Sequence, residues 1–265
     1  MQREVVDGLH LGRGGDPTGT PVVLVHGAMD RGAAFLRATR LLRDLDWWVY
    51  DRRGYGRSRA AAPRDLEGHV ADLLTVVELV AARRGAPVVV VGHSLGGVLA
   101  LAVAQRRPDL VAAVAVYESP LTWEPWWPRT GPGGGPALED DEPRAAAERF
   151  MRRVAGDDVW EGLPEATRRQ RLDEGATLVA ELGSARRAAP YDAGAVRVPA
   201  LVGRGSGTDE HRTRAADQLV AALPDARLVV IDGADHGVHT SAPEDFAALV
   251  RRTVEAGGHP GPRAS

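Results

Sequence analysis

Three stretches hold residue types that can do chemistry together. VVVVGHSLGGV (88–98) sets Ser94 between Gly92 and Gly96 after a branched apolar run, VVLVHGAMD (22–30) puts His-Gly after another such run, and LVVIDGADHGVH (228–239) ends a third on His236. A serine hydroxyl attacks a carbonyl carbon only if a base takes its proton and hydrogen-bond donors receive the negative charge that develops on oxygen. The three stretches supply a nucleophile, a donor loop and a base.

A serine on a sharp strand-to-helix turn has a strained backbone, and small residues on both sides avoid clashes there. Gly92 and Gly96 meet that need. The turn presents the Ser94 hydroxyl at a helix N-terminus, where backbone N–H groups and the helix dipole favour negative charge, so the Leu95 N–H is the first expected oxyanion donor. The second is assigned to Ala28, with Met29 as the alternative. His26 is expected to hold its turn by hydrogen bonds rather than act as the base. His239 is the substitute for His236, and the neighbouring Asp235 is expected to cap the turn.

These stretches need elements that bring them to one edge. Short runs of branched apolar residues at 21–25, 46–50, 87–91, 111–117, 198–203 and 227–232 alternate with helical stretches at 65–84, 96–106, 211–223 and 244–256. The pattern predicts an α/β fold, a mostly parallel central sheet flanked by helices. Residues 3–11 read as an antiparallel edge strand before a loop, GRGGDPTGT. Between 120 and 197 there is no convincing strand, only helical pieces and the glycine-proline segment TGPGGGP (130–136), read as a hinge or a disordered stretch. The organisation expected is a core of 1–119 and 198–257, a mainly helical cap at 120–197 inserted after the sixth strand, and a disordered tail at 258–265.

The marks VHGAMD (25–30), DRRGYGRS (51–58), GHSLGG (92–97), PALVGRG (199–205) and GADH (233–236) stand in the order of the α/β-hydrolase fold family, which the chain resembles over almost its whole length. The resemblance gives DRRGYGRS a structural role, with Arg53 steadying backbone near the oxyanion loop. It also implies an acid after the seventh strand, in a G-x-x-D arrangement. Here Gly205 is followed by Thr208, and Asp209 comes one position late. A threonine cannot supply the charge that stabilises an imidazolium. Some branches of the family place the acid after the sixth strand, and VAVYESPL (114–121) puts Glu118 there, 24 residues past Ser94. Glu118 is the preferred acid; Asp209, otherwise a helix cap, is the alternative.

The chemistry expected of these residues is acyl transfer with no cofactor or metal: a serine hydrolase cleaving a carboxylic ester or related acyl bond, in the manner of a carboxylesterase or lipase. An acyltransferase, thioesterase or lactonase with the same triad, or a non-catalytic binding protein on this fold, are the alternatives. Trp123, Trp126 and Trp127 in LTWEPWWP, with Met29, are candidate substrate-binding residues for an apolar or aromatic acyl compound. The net charge of -3 gives no case for nucleic acid or an anionic membrane. The absence of cysteine removes disulfides and thiolate chemistry. With no apolar run of membrane-spanning length, the expected setting is the cytoplasm.

Overall fold

The computed structural model describes residues 1–128 and 142–258. The segment 130–136 and, beyond Gly258, the tail lie outside the described residues.

Eight strands form one sheet: β1 (Gln2–Val6), β2 (Leu9–Gly15), β3 (Pro21–Val25), β4 (Asp46–Asp51), β5 (Val88–His93), β6 (Val111–Tyr117), β7 (Ala200–Gly205) and β8 (Ala226–Ile231). Their order is β1-β2-β4-β3-β5-β6-β7-β8, with β1 and β2 antiparallel and the other six parallel. The helices are α1 (Leu36–Thr39), α2 (Leu66–Arg84), α3 (Leu95–Arg106), α4 (Pro143–Ala155), α5 (Asp157–Gly162), α6 (Glu165–Asp173), α7 (Gly175–Ala185), α8 (Glu210–Ala222), α9 (Val238–Ser241) and α10 (Pro243–Ala256).

Alternation along the strands sends side chains to two cores. From β3, Val23 and Val25 join the core with α2 and α3, while Val22 and Leu24 join the one with α1 and α10. Burial on both faces explains the uninterrupted valine runs. The helices α4 to α7 fill the interval after β6, and Ala146, Ala147, Leu178 and Leu182 extend the first core. Among the described residues, no helix is long and apolar enough to cross a membrane.

At the N-terminus the structure corrects the expectation of one strand and a loop. Two strands join at Asp7-Gly8, both with positive φ (49° and 78°), as a two-residue hairpin turn demands. Three of the glycines expected in a loop, Gly12, Gly14 and Gly15, instead continue β2. A Cβ on Gly14 would lie 2.2 Å from the Trp47 ring, so that position is bare because an indole covers it.

The parallel strands end on one edge, and their register sets the site. His93 pairs with Tyr117 and Tyr117 with Gly203. The ladder continues one step beyond the strands, with the Ser94 N–H donating to the Tyr117 carbonyl (2.8 Å) and the Glu118 N–H to the Gly203 carbonyl (2.9 Å). Ser94 and Glu118 therefore leave the sheet at one level.

Candidate active site

Ser94 has φ 52° and ψ -126°, outside the regions that L-residues prefer. Close backbone approach maintains this turn: a Cβ on Gly92 would lie 2.3 Å from the Gly96 carbonyl oxygen, and one on Gly96 would lie 2.2 Å from that of Val25. Ser94 stands at the N-cap of α3, yet its side chain makes no capping bond, which leaves the hydroxyl available for other work. Leu95 begins the helix, where backbone N–H groups have no partner within the helix. Four non-glycine residues have positive φ among those described. Besides Asp7 in the hairpin, they are Ser94, Met29 and Glu118, all on loops of this edge. Such conformations cost of order 1–3 kcal/mol each and persist where surrounding structure enforces them.

His236 Nδ1 lies 2.8 Å from Glu118 Oε2, and the Gly205 N–H donates to Glu118 Oε1 at 3.1 Å. Glu118 is 2% exposed. Burial pushes its pKa up, but bonds from His236 and Gly205, helped by the adjacent Thr208 hydroxyl, hold it below the ordinary glutamate value. That hydroxyl is buried and meets no partner at strict hydrogen-bond geometry, so its part is the smaller one. The His236 pKa is lowered, first by burial and then by the Arg212 charge, against the raising effect of Glu118. A neutral imidazole oriented by a carboxylate through Nδ1 leaves Nε2 available as a base.

Asp209 does not reach His236 in this way. Its carboxylate pairs with Arg212 and lies 3.8 Å from His211. It occupies the N-cap position of α8 but makes no side-chain cap bond, because Arg212, one turn on, holds it instead. Thr208, at the usual place of the acid, faces Glu118. Arg212 Nε also lies 3.7 Å from Glu118 Oε2, so one guanidinium touches both acids. His239 turns away from this pair, its Nε2 3.1 Å from Asp30 Oδ2, and Asp235 accepts the Gly237 N–H across the turn.

The loop after β3 is braced from behind. His26 accepts the Arg52 N–H at Nε2 (2.9 Å), which fixes the proton on Nδ1, where it is donated to the Gly27 carbonyl (2.8 Å). Burial drives the His26 pKa down to about 3, so this ring stays neutral. Arg52 Nη2 donates to the same carbonyl (2.9 Å) while Nη1 bonds Glu181 of α7 (2.6 Å), both side chains being fully buried. The Gly27 carbonyl and the Ala28 N–H belong to one peptide group, so fixing the oxygen aims the N–H. Arg53, expected to steady this loop, instead bonds Asp72 and the Asp7 carbonyl. Consecutive residues leaving a strand face opposite ways, and it is Arg52 that points to the loop. From α6, Arg171 donates to the Met29 carbonyl.

A cavity of about 580 Å³ opens on this edge, within the size range of small-molecule sites. It is lined by Ser94, His236, Glu118, Asp209, Leu95, Ala28 and Met29, and among the tryptophans by Trp127. Trp123 packs edge-on against Tyr191, and Trp126 lies under Arg214, so these two candidate binding residues are placed off the cavity wall. The residues between prolines turn too tightly to aim three indoles in one direction. Sequence reasoning missed Phe150 and Met151 of α4 and Leu182 of α7, which line the cavity. The available signal is the amphipathic α4, whose apolar stripe has no partner evident in the sequence.

A family profile described as the alpha/beta hydrolase family matches residues 22–249. The chain belongs to the alpha/beta hydrolase family. This alpha/beta hydrolase is 34% identical over 110 residues to lipase LipV of Mycobacterium tuberculosis, covering 42% of the chain and 41% of the lipase. It is 30% identical to polyketide synthase ThaQ of Burkholderia thailandensis over 93% of the chain but only 12% of the synthase. The chain thus spans less than half the length of either relative. Among solved structures, a thermophilic esterase from Thermogutta terrifontis superposes with a TM-score of 0.72 at 22% identity, over 97% of this chain and 99% of that one, a likeness of fold.

Proposed function

We propose that this hydrolase cleaves carboxylic esters or closely related acyl bonds through an acyl-enzyme on Ser94. His236 takes the hydroxyl proton as the oxygen attacks the carbonyl carbon, and Glu118 stabilises the imidazolium that results. The N–H groups of Leu95 and Ala28 receive the oxyanion. His236 returns its proton to the leaving alcohol, and water, activated by the same base, then releases the acid. The observation that carries this reading is the 2.8 Å contact of His236 Nδ1 with a buried Glu118, beside a serine in the strained turn of the same cavity.

The cavity walls favour a substrate with an apolar acyl part, through Trp127, Phe150, Met151 and Leu182. A second reading, a thioester as the scissile bond, is favoured by the match to a polyketide synthase over almost the whole chain. The test is labelling by a fluorophosphonate, then an ester and thioester panel of graded acyl length. Covalent modification at Ser94, abolished in Ser94→Ala, is the expected result. A folded native protein that takes up no probe would turn the reading toward a binding role.

A further inference from the structure

Beneath Ser94 lies a second group of side chains that the proposed reaction does not use. Asp30, His93 and His239 each offer an oxygen or ring nitrogen, and these three atoms lie within 4.8 Å of one another. Both histidines are 5% exposed. His93 Nε2 donates to the His236 carbonyl oxygen at 2.7 Å, so its Nδ1 carries a lone pair. That Nδ1 is buried without a hydrogen-bond partner, while His239 meets Asp30 through Nε2 at 3.1 Å, a bond that an ion between the two would replace. A buried acceptor with no donor costs about 1–3 kcal/mol unless something occupies it.

From this arrangement we propose that Asp30, His93 and His239 form a binding site for a divalent transition metal, of which zinc is the natural probe, and that its occupation inhibits the hydrolase. Two imidazoles and a carboxylate are ligands that zinc accepts, with water completing the coordination. His93 already has the outer-shell arrangement of a metal-ligating histidine, one ring N–H donated to a backbone carbonyl and the other nitrogen left as the ligand. Residue 27 is glycine, so no Cβ stands 3.4 Å from His93 Nδ1, where any other residue would place one. All three ligands line the cavity that holds Ser94, which gives the ion a path.

The inhibitory part rests on the proposed role of His236; the binding part does not. The His93 and His236 rings lie 4.7 Å apart between centroids, and the metal-bound ring would hold the His236 backbone through its carbonyl. With its backbone held in this way, the His236 ring loses the freedom to move between Glu118 and the Ser94 hydroxyl that line the same cavity.

The experiment is a titration of the chelator-treated full chain with zinc chloride alone, followed by equilibrium dialysis with metal analysis. One ion per chain is expected, with affinity at least tenfold weaker in Asp30→Asn and in His239→Gln, two variants whose metal-free melting curves show whether the fold is kept. Cobalt(II) in place of zinc should give the strong visible absorption of a low-coordinate nitrogen and oxygen site, lost in both variants. Zinc should suppress ester turnover, chelator should restore it, and His239→Gln should resist. Absence of saturable binding, or equal affinity in native chain and both variants, would overturn the site. Binding that leaves turnover unchanged would overturn the inhibition alone, and an inactive native protein would still report binding by dialysis.

Discussion

The ends of β6 and β7 are neighbours on one sheet edge, and each is followed by a carboxylate. Glu118, directly after β6, is buried, has φ 47° and bonds both His236 and the Gly205 N–H. Asp209, four residues after β7, is half exposed and pairs with Arg212. The difference is one of reach. A residue at the last step of the ladder has its backbone fixed by the sheet, through the Glu118 N–H bond to Gly203, and its side chain enters the site with little freedom left to lose. A residue farther along a loop, at the start of a helix, satisfies itself locally. A catalytic carboxylate is better served by the first arrangement.

The strongest way to break this contrast is to remove the charge at Glu118 while keeping its shape. Glu118→Gln is expected to lower kcat by about 10³- to 10⁴-fold on an activated ester, the scale seen when the orienting acid of a triad becomes an amide. Adding Thr208→Asp to that variant moves the charge to the loop after β7, beside the place Glu118 held. One charged hydrogen bond is worth about 1.5–3 kcal/mol, so a recovery of about tenfold or more is expected, measured as kcat of the double against the single variant. Near-normal turnover in Glu118→Gln would remove the distinction between the two strand ends.

The guanidinium between the two acids offers a finer test through pH. The base of the proposed reaction works only when neutral, and burial together with Arg212 depresses the His236 pKa, so the acid limb of kcat/KM should fall below the ordinary imidazole value near 6.5. Activity is lost as pH falls through that lowered value. Replacing Arg212 by methionine removes a positive neighbour, raises the His236 pKa and moves the limb to higher pH. Glu118→Gln removes a group that raises it and moves the limb the other way. A pH profile of each variant reads these opposite displacements; limbs that move together would mean His236 does not feel both groups.

Much of this edge is legible in the sequence. The valine runs of β3 and β5, buried on both faces, carry an unbroken apolar signal, and the backbone crowding at Gly92 and Gly96 leaves glycine as the one residue that fits. The step of 24 positions from Ser94 to Glu118 corresponds to one helix and one parallel strand, which returns the chain to the next position on the same edge. The features that are not legible depend on contacts distant in sequence. Gly14 reads as loop until Trp47 is seen lying on it. Arg52 and Arg53 are adjacent and chemically alike, and only Glu181 of α7, 129 residues away, separates their roles. The cavity wall contributed by Phe150 and Met151 depends on where α4 lies on the core.

The smallest effect belongs to Asp209, and its smallness gives the test its value. Its side chain is 54% exposed, and its ion pair with Arg212 is of a kind worth about 0–1 kcal/mol. Asp209→Asn should therefore change kcat by less than about fivefold. Its main consequence is to loosen Arg212, whose Nε lies 3.7 Å from Glu118 Oε2 and can then settle closer to that carboxylate. A closer Arg212 competes with His236 for Glu118 and adds positive charge beside the ring, so the acid limb should move slightly down in pH while kcat on its plateau stays near the native value. Measured beside Glu118→Gln on the same ester, a plateau loss of comparable size would show that the strand-end position confers no advantage on Glu118.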